Sequence, residues 1–162
     1  MPDLNRVSPL MPSILDRLLG QEAPKNEEIE RNPTQLLRNL KASLLRDLEN
    51  LLNTRCRCGS FPPEFSELQT SLVNYGIPDF TGTTAGSIVG RQDFLAMVRS
   101  AVERFEPRLQ RVNVSLLNDK DPLDRVLRFR IEGVLVTNYD DEPVMFVSTM
   151  EPSSGKYKVS SG

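Results

Sequence analysis

The sequence predicts an α+β fold, with helices packed on one face of a small antiparallel sheet of three to four strands. Three observations predict it. Leucines and phenylalanines recur at helical spacing in two long segments of the first two thirds of the chain. After Pro107 the apolar period changes from helical to alternating. The alternating segments are separated only by short polar turns, which connect antiparallel rather than parallel neighbours.

Taken in order, residues 1–31 read as an N-terminal arm holding a short helix. Ser13 caps it with Asp16 three residues later, Ile14, Leu15, Leu18 and Leu19 form its apolar stripe, and Gly20 stops it. Gln21 to Arg31 is polar and reads as a linker. The domain proper then runs over residues 32–162. Asn32, Pro33 and Gln35 open its first long helix, which carries Leu36, Leu37, Leu40, Leu44, Leu45, Leu48, Leu51 and Leu52 and ends near Asn53. The other face of that helix holds Arg38, Lys41, Arg46, Asp47 and Glu49. A loop with both cysteines follows. Ser66 and Gln69 open a short helix that ends near Tyr75-Gly76, and Ile77 to Gly90 reads as a long connector. Arg91 to Phe105 is the second long helix, ended by Pro107. Strands are expected at Val112–Leu116, at Leu127–Val136 with a bulge at Gly133, at Val144–Thr149, and in short form at Tyr157–Val159.

Composition narrows the function. The 162 residues contain no histidine, which excludes Ser-His-Asp and Cys-His catalysis, histidine bases and most transition-metal sites. The net charge of -2 lacks the dominant basic footprint of a nucleic-acid binder. No apolar run approaches the length of a membrane span, and Met1 to Arg6 has no apolar signal core, so a cytoplasmic, reduced protein is expected. Cys56 and Cys58 are too close for an ordinary disulfide and too few for a zinc site. Gly82, Gly86 and Gly90 lack the Gly-Lys-Ser/Thr ending of a phosphate loop. Glu64, Glu103 and Glu106 are the carboxylates that would have to pair for glycoside hydrolysis. No cofactor and no metal is expected. Arg99, Arg104, Arg108 and Arg111 crowd the end of the second helix, either as a solvated face or as a charged docking surface. If Val144–Thr149 were a sheet edge, it would accept a strand from another chain.

Three ordered stretches carry a family resemblance: Leu51-Leu52-Asn53-Thr54-Arg55, Ser71-Leu72-Val73-Asn74-Tyr75-Gly76-Ile77-Pro78-Asp79-Phe80, and Phe105-Glu106-Pro107-Arg108-Leu109 followed by Val112-Asn113-Val114. Together with the opening Ser13-Ile14-Leu15-Asp16-Arg17-Leu18, this order resembles the TssE family of type VI secretion baseplate subunits. It is similar also to the lysozyme-like wedge proteins of contractile phage tails. The resemblance implies a non-catalytic scaffold that docks to TssF and TssG and joins the TssB-TssC sheath, with TssK and the VgrG hub as further neighbours. The baseplate would stand at the inner membrane without inserting into it. It implies partner binding by Glu106, Pro107, Arg108 and Leu109, with Arg55 as a further contact. On physical grounds Pro107 fixes the corner, Arg108 offers a planar fork and Glu106 an acceptor. The same residues can instead serve only to stabilise their own corner. The rival functions are a peptidoglycan hydrolase, as the lysozyme label suggests, and an adaptor of an unrelated assembly.

Overall fold

A computed structural model describes residues 16, 18–20, 33–56, 64–65, 67–68, 71–78, 88–117, 126–137, 141–151 and 154–162. Its long elements are α1 (Pro33–Asn53), α2 (Ile88–Phe105), β1 (Leu109–Leu116), β2 (Leu127–Leu135), β3 (Glu142–Glu151) and β4 (Lys156–Ser161). The strands form one sheet in the order β1-β2-β3-β4, each antiparallel to the next. This is the predicted α+β class at its four-stranded limit.

The alternation read from the sequence sorts the two faces of the sheet. Val112, Phe129, Ile131, Leu135, Val144, Phe146, Met150, Tyr157 and Val159 point to one side and are buried. They meet Leu40, Leu44, Leu48, Leu51 and Leu52 of α1 and Phe94, Val98, Ala101 and Val102 of α2 in a single core. Phe94, Phe129 and Tyr157 join there, with ring centroids 5.4 and 6.2 Å from Phe94. Each fully buried side chain of this size stabilises the fold by about 1.5–3 kcal/mol, so this face holds the helices to the sheet.

Several boundaries differ from those expected. α2 begins at Ile88, one turn before Arg91. Its first residues, Ile-Val-Gly, look like connector because of the glycine, yet their backbone is helical. The bulge lies on β1 rather than in β2. Gln110 pairs with Val134 and Asn113 with Glu132, so Arg111 and Val112 together face Gly133. Arg111 takes the extra residue's strain with a φ of 52°. Gly133 is the partner that lets the bulge close, since a side chain there would stand 3.3 Å from the Gln110 carbonyl oxygen. The Val144–Thr149 segment is interior, paired with β2 on one side and β4 on the other; the edges are β1 and β4. Leu72–Asn74 forms a short 3-10 turn. Gly76 follows it at φ 109° and sits so close to the Thr54 carbonyl that no other residue fits. This lets Ile77 and Arg55 form a parallel bridge, with Ile77 N–H donating to Thr54 O at 2.9 Å and Cys56 N–H to Ile77 O at 3.0 Å. Asn32, Cys58, Ser66, Gln69, Gly82 and Gly86 lie outside the described residues.

Candidate functional site: the helix-to-strand corner

The corner between α2 and β1 is a four-residue turn. Glu106 N–H donates to Val102 O at 2.9 Å, closing the helix, and Leu109 N–H donates to Glu106 O at 3.0 Å, closing the turn. Pro107 occupies the second turn position, where its fixed φ is already correct. The turn sends Glu106 and Arg108 the same way, into the seam beneath α1.

There the two side chains meet face to face. Arg108 Nε donates to Glu106 Oε1 at 2.6 Å and Nη2 to Glu106 Oε2 at 2.7 Å, a bidentate pair. Nη2 also reaches Asp47 Oδ2 at 2.7 Å, and Nη1 reaches Ser43 Oγ at 3.3 Å. Glu106 is 6% exposed and Arg108 7%. Burial works against the Arg108 charge, but the Glu106 and Asp47 carboxylates outweigh it and hold the guanidinium pKa above its usual range. Tyr75 stands beside the group with its ring edge-on to Phe105 at 5.3 Å. Burial first, and then the charges of Asp47 and Glu106, push its phenol pKa up.

The network extends to the N-terminal arm. Ser43 Oγ donates to Asp16 Oδ2 at 2.6 Å, and Arg46 Nη2 donates to Asp16 Oδ1. Asp16 is 2% exposed, while the neighbouring Leu18 and Leu19 are 80% and 65% exposed. Asp16 is therefore tied to α1 as well as belonging to its own helical turn.

The five residues singled out from sequence separate by exposure. Glu106, Arg108 and Leu109 are buried, and Pro107 and Arg55 are exposed. Arg55 Nη2 lies 3.4 Å from Gly155 O, far along the chain from the corner. The four arginines near the end of α2 do not make one surface. Arg99 pairs with Glu103, Arg104 lies 6.0 Å over the Phe105 ring, Arg108 is buried, and Arg111 occupies the bulge. Of the three carboxylates considered for hydrolysis, Glu103 is committed to Arg99, Glu106 to Arg108, and Glu64 is exposed. Among the described residues no cluster of three or more His, Cys, Asp or Glu could hold a metal, and no helix is long and apolar enough to cross a membrane.

Sequence reading missed Ser43, Asp47 and Arg46 as partners of the corner, and Asn53 and Glu49 as partners of β4. The signal was present as spacing: positions 43, 46 and 47, and again 49 and 53, share helix faces. Asn53 Nδ2 donates to Tyr157 O at 2.8 Å, and Tyr157 N–H donates to Asn53 Oδ1 at 2.9 Å. Val159 N–H donates to Glu49 Oε2 at 3.2 Å. These side chains cover the backbone edge of β4 at Tyr157 and Val159. The edge of β1 has no such cover. Leu117 N–H donates to Arg128 O at 3.0 Å, so antiparallel alternation turns the backbone groups of Val114 and Leu116 away from β2. No hydrogen bond reaches those groups from any described residue.

Comparison with known proteins agrees with this architecture. A solved chain described as "The baseplate complex from the type VI secretion system" matches with a TM-score of 0.53 and 18% identity, covering 75% of this chain and 95% of that one. At that identity the match speaks for the fold. No curated protein matches the sequence. A family match covers residues 38–140, from α1 through the corner, β1 and β2. That span is more than half of the chain, and by it the protein belongs to the family described as "Baseplate wedge protein gp25".

Proposed function

We propose that this chain is a structural, non-catalytic baseplate subunit of a type VI secretion machine. It joins the TssF-TssG wedge to the TssB-TssC sheath and helps start sheath assembly. It works in the cytoplasm, in a baseplate docked at the inner membrane, with TssK and the VgrG hub close by. The observation that carries this reading is the open edge of β1 on a baseplate-wedge fold. The N–H and C=O groups of Val114 and Leu116, which no described residue pairs, recur at regular spacing, the template on which an extended segment of another chain adds as a fifth strand.

The corner supplies the wedge contact. Exposed Pro107 is its tip, the buried Glu106–Arg108 pair fixes the direction of the tip, and Leu109 roots it in the core. Arg55 adds a charged contact from the end of α1. Charge reversal at Glu106 or Arg108 would test folding and docking together, because both side chains are buried. The strand edge gives a cleaner test. In the native cell, the tagged chain is expected to recover TssF, TssG and the sheath proteins. Val114→Pro is expected to recover TssF and TssG but to lose the sheath. Recovery of the sheath by Val114→Pro in full yield would overturn the edge reading, and recovery of none of these proteins by the wild-type chain would overturn the whole assignment.

A further inference from the structure

The buried network has one member that is not part of the folded domain's core. Asp16 comes from the arm, yet its carboxylate is among the most enclosed polar groups of the molecule at 2% exposure. The leucines beside it face solvent. Ser43 and Arg46 of α1 hold the Asp16 carboxylate, and any other carboxylate carries the same chemistry.

Of the groups that hold it, Arg46 has a donor to spare among the described residues. Ser43 Oγ and Arg46 Nη2 donate to Asp16, while Arg46 Nε is buried with no acceptor. A carboxylate seated side-on against Arg46 would engage Nε and Nη2 together, the geometry Arg108 already makes with Glu106. Charge sets the occupancy at one. Arg46 and Arg108 balance Asp47 and Glu106, so a first carboxylate leaves the cluster at minus one and a second would be repelled. Ser43 also receives Arg108 Nη1, so whatever occupies this position lies against the corner itself.

We propose that Ser43, Arg46 and Arg108 form a carboxylate-binding site which the free chain fills with its own Asp16. An acidic side chain of the wedge partner takes that place on assembly and releases the arm. This rests on the docking role of the corner proposed above. It gives that role a mechanism, since Ser43, which also receives Arg108 of the corner, is freed as Asp16 leaves.

Hydrogen exchange on the full chain tests it, followed at the peptide covering residues 16–20. In the free protein, Asp16→Asn is expected to speed exchange there by about tenfold or more and to leave α1 and the sheet protected. Asp16→Glu keeps the charge and is expected to stay near wild type. Adding purified TssF-TssG complex to the wild-type chain is expected to produce the same acceleration. Asp16→Asn, freed of its internal competitor, is expected to bind that complex about threefold tighter or better. A bound complex with residues 16–20 still protected overturns the exchange and leaves the docking corner standing. So does weaker binding by Asp16→Asn, which would make the arm part of the interface. Failure of the complex to bind either form overturns the docking reading itself. Unchanged exchange in free Asp16→Asn overturns the latch without reference to any partner.

Discussion

The two edges of the sheet are finished in different ways, and one helix accounts for both. At β4, the last two turns of α1 lay Asn53 and Glu49 against the strand, and the Asn53 amide pairs with Tyr157 as a neighbouring backbone would. At β1, α1 grips only the entrance, through Ser43 and Asp47 on Arg108. Beyond the bulge the strand has no cover from any described residue. An uncovered edge invites association, and folded proteins normally blunt it. Among the described residues, helix side chains blunt the β4 edge at Tyr157 and Val159 and none reaches the outward groups of Val114 and Leu116, so β1 is the more open address for strand addition.

The largest effect is expected where β1 is gripped. Arg108→Met leaves the buried Glu106 carboxylate without its cation and the half-buried Asp47 with only Arg46, 3.4 Å away. Breaking such a pair costs about 3–5 kcal/mol, read as a shift in the denaturant midpoint. Replacing the whole group at once, with Glu106→Leu and Asp47→Leu added, is expected to recover much of that loss, because the penalty lies in the unpaired charges. A single substitution costing under 1 kcal/mol would show that water reaches the corner freely.

Next in size is the cover of β4. Asn53→Ala removes its two bonds to the Tyr157 backbone and is expected to cost about 1–2 kcal/mol. It should also turn β4 into a second open edge, detected as concentration-dependent self-association by sedimentation. A monomeric Asn53→Ala protein would mean that the bulk of α1, rather than this amide, closes the edge. A pair of prolines sharpens the contrast. Val159→Pro removes the bond to Glu49 and drives a ring towards α1, whereas Val114→Pro removes only an outward N–H. The first is expected to cost more than the second by about 1 kcal/mol.

Much of this architecture was legible in the sequence, because it depends on local period. The leucine stripe of α1, the phenylalanine and valine stripe of α2 and the alternation of β2 each follow from which residues are apolar, and the core they predict is the one observed. The corner was legible as a turn, since Pro107 between a helix and a strand admits little else. What its charged residues face was not. Asp47 and Arg108 lie 61 positions apart in sequence and Ser43 and Asp16 lie 27 apart, and nothing local marks them as neighbours. Asp16 reads as part of its own helix cap because capping is a short-range interaction; Ser13 lies outside the described residues, and the long-range contacts of Asp16 to Ser43 and Arg46 carry no local signal. The bulge was assigned to Gly133 for a similar reason. Glycine marks where two strands approach closely, but the sequence does not tell which of the two carries the extra residue.

The smallest effect concerns Tyr75, which reports on the gripped end of β1 without taking part in the grip. Burial, and then the negative charges of Asp47 and Glu106, raise its pKa above the ordinary 10.0. In the unfolded chain the phenol ionises near its ordinary value, while in the folded chain it keeps its proton to higher pH. The folded state therefore binds more protons in that window, and stability must fall as pH rises. Tyr75's contribution is complete below pH 10.0 and is lost as pH climbs through the folded value. Tyr75→Phe is expected to remove that part of the alkaline decline while leaving stability at neutral pH nearly unchanged. Asp47→Asn is expected to move the phenolate absorbance of Tyr75 towards lower pH, because one of the charges opposing ionisation is gone. If the absorbance did not move, the Asp47 carboxylate would be screened from the ring, and the tight cluster of charges at the corner would have to be looser than its distances imply.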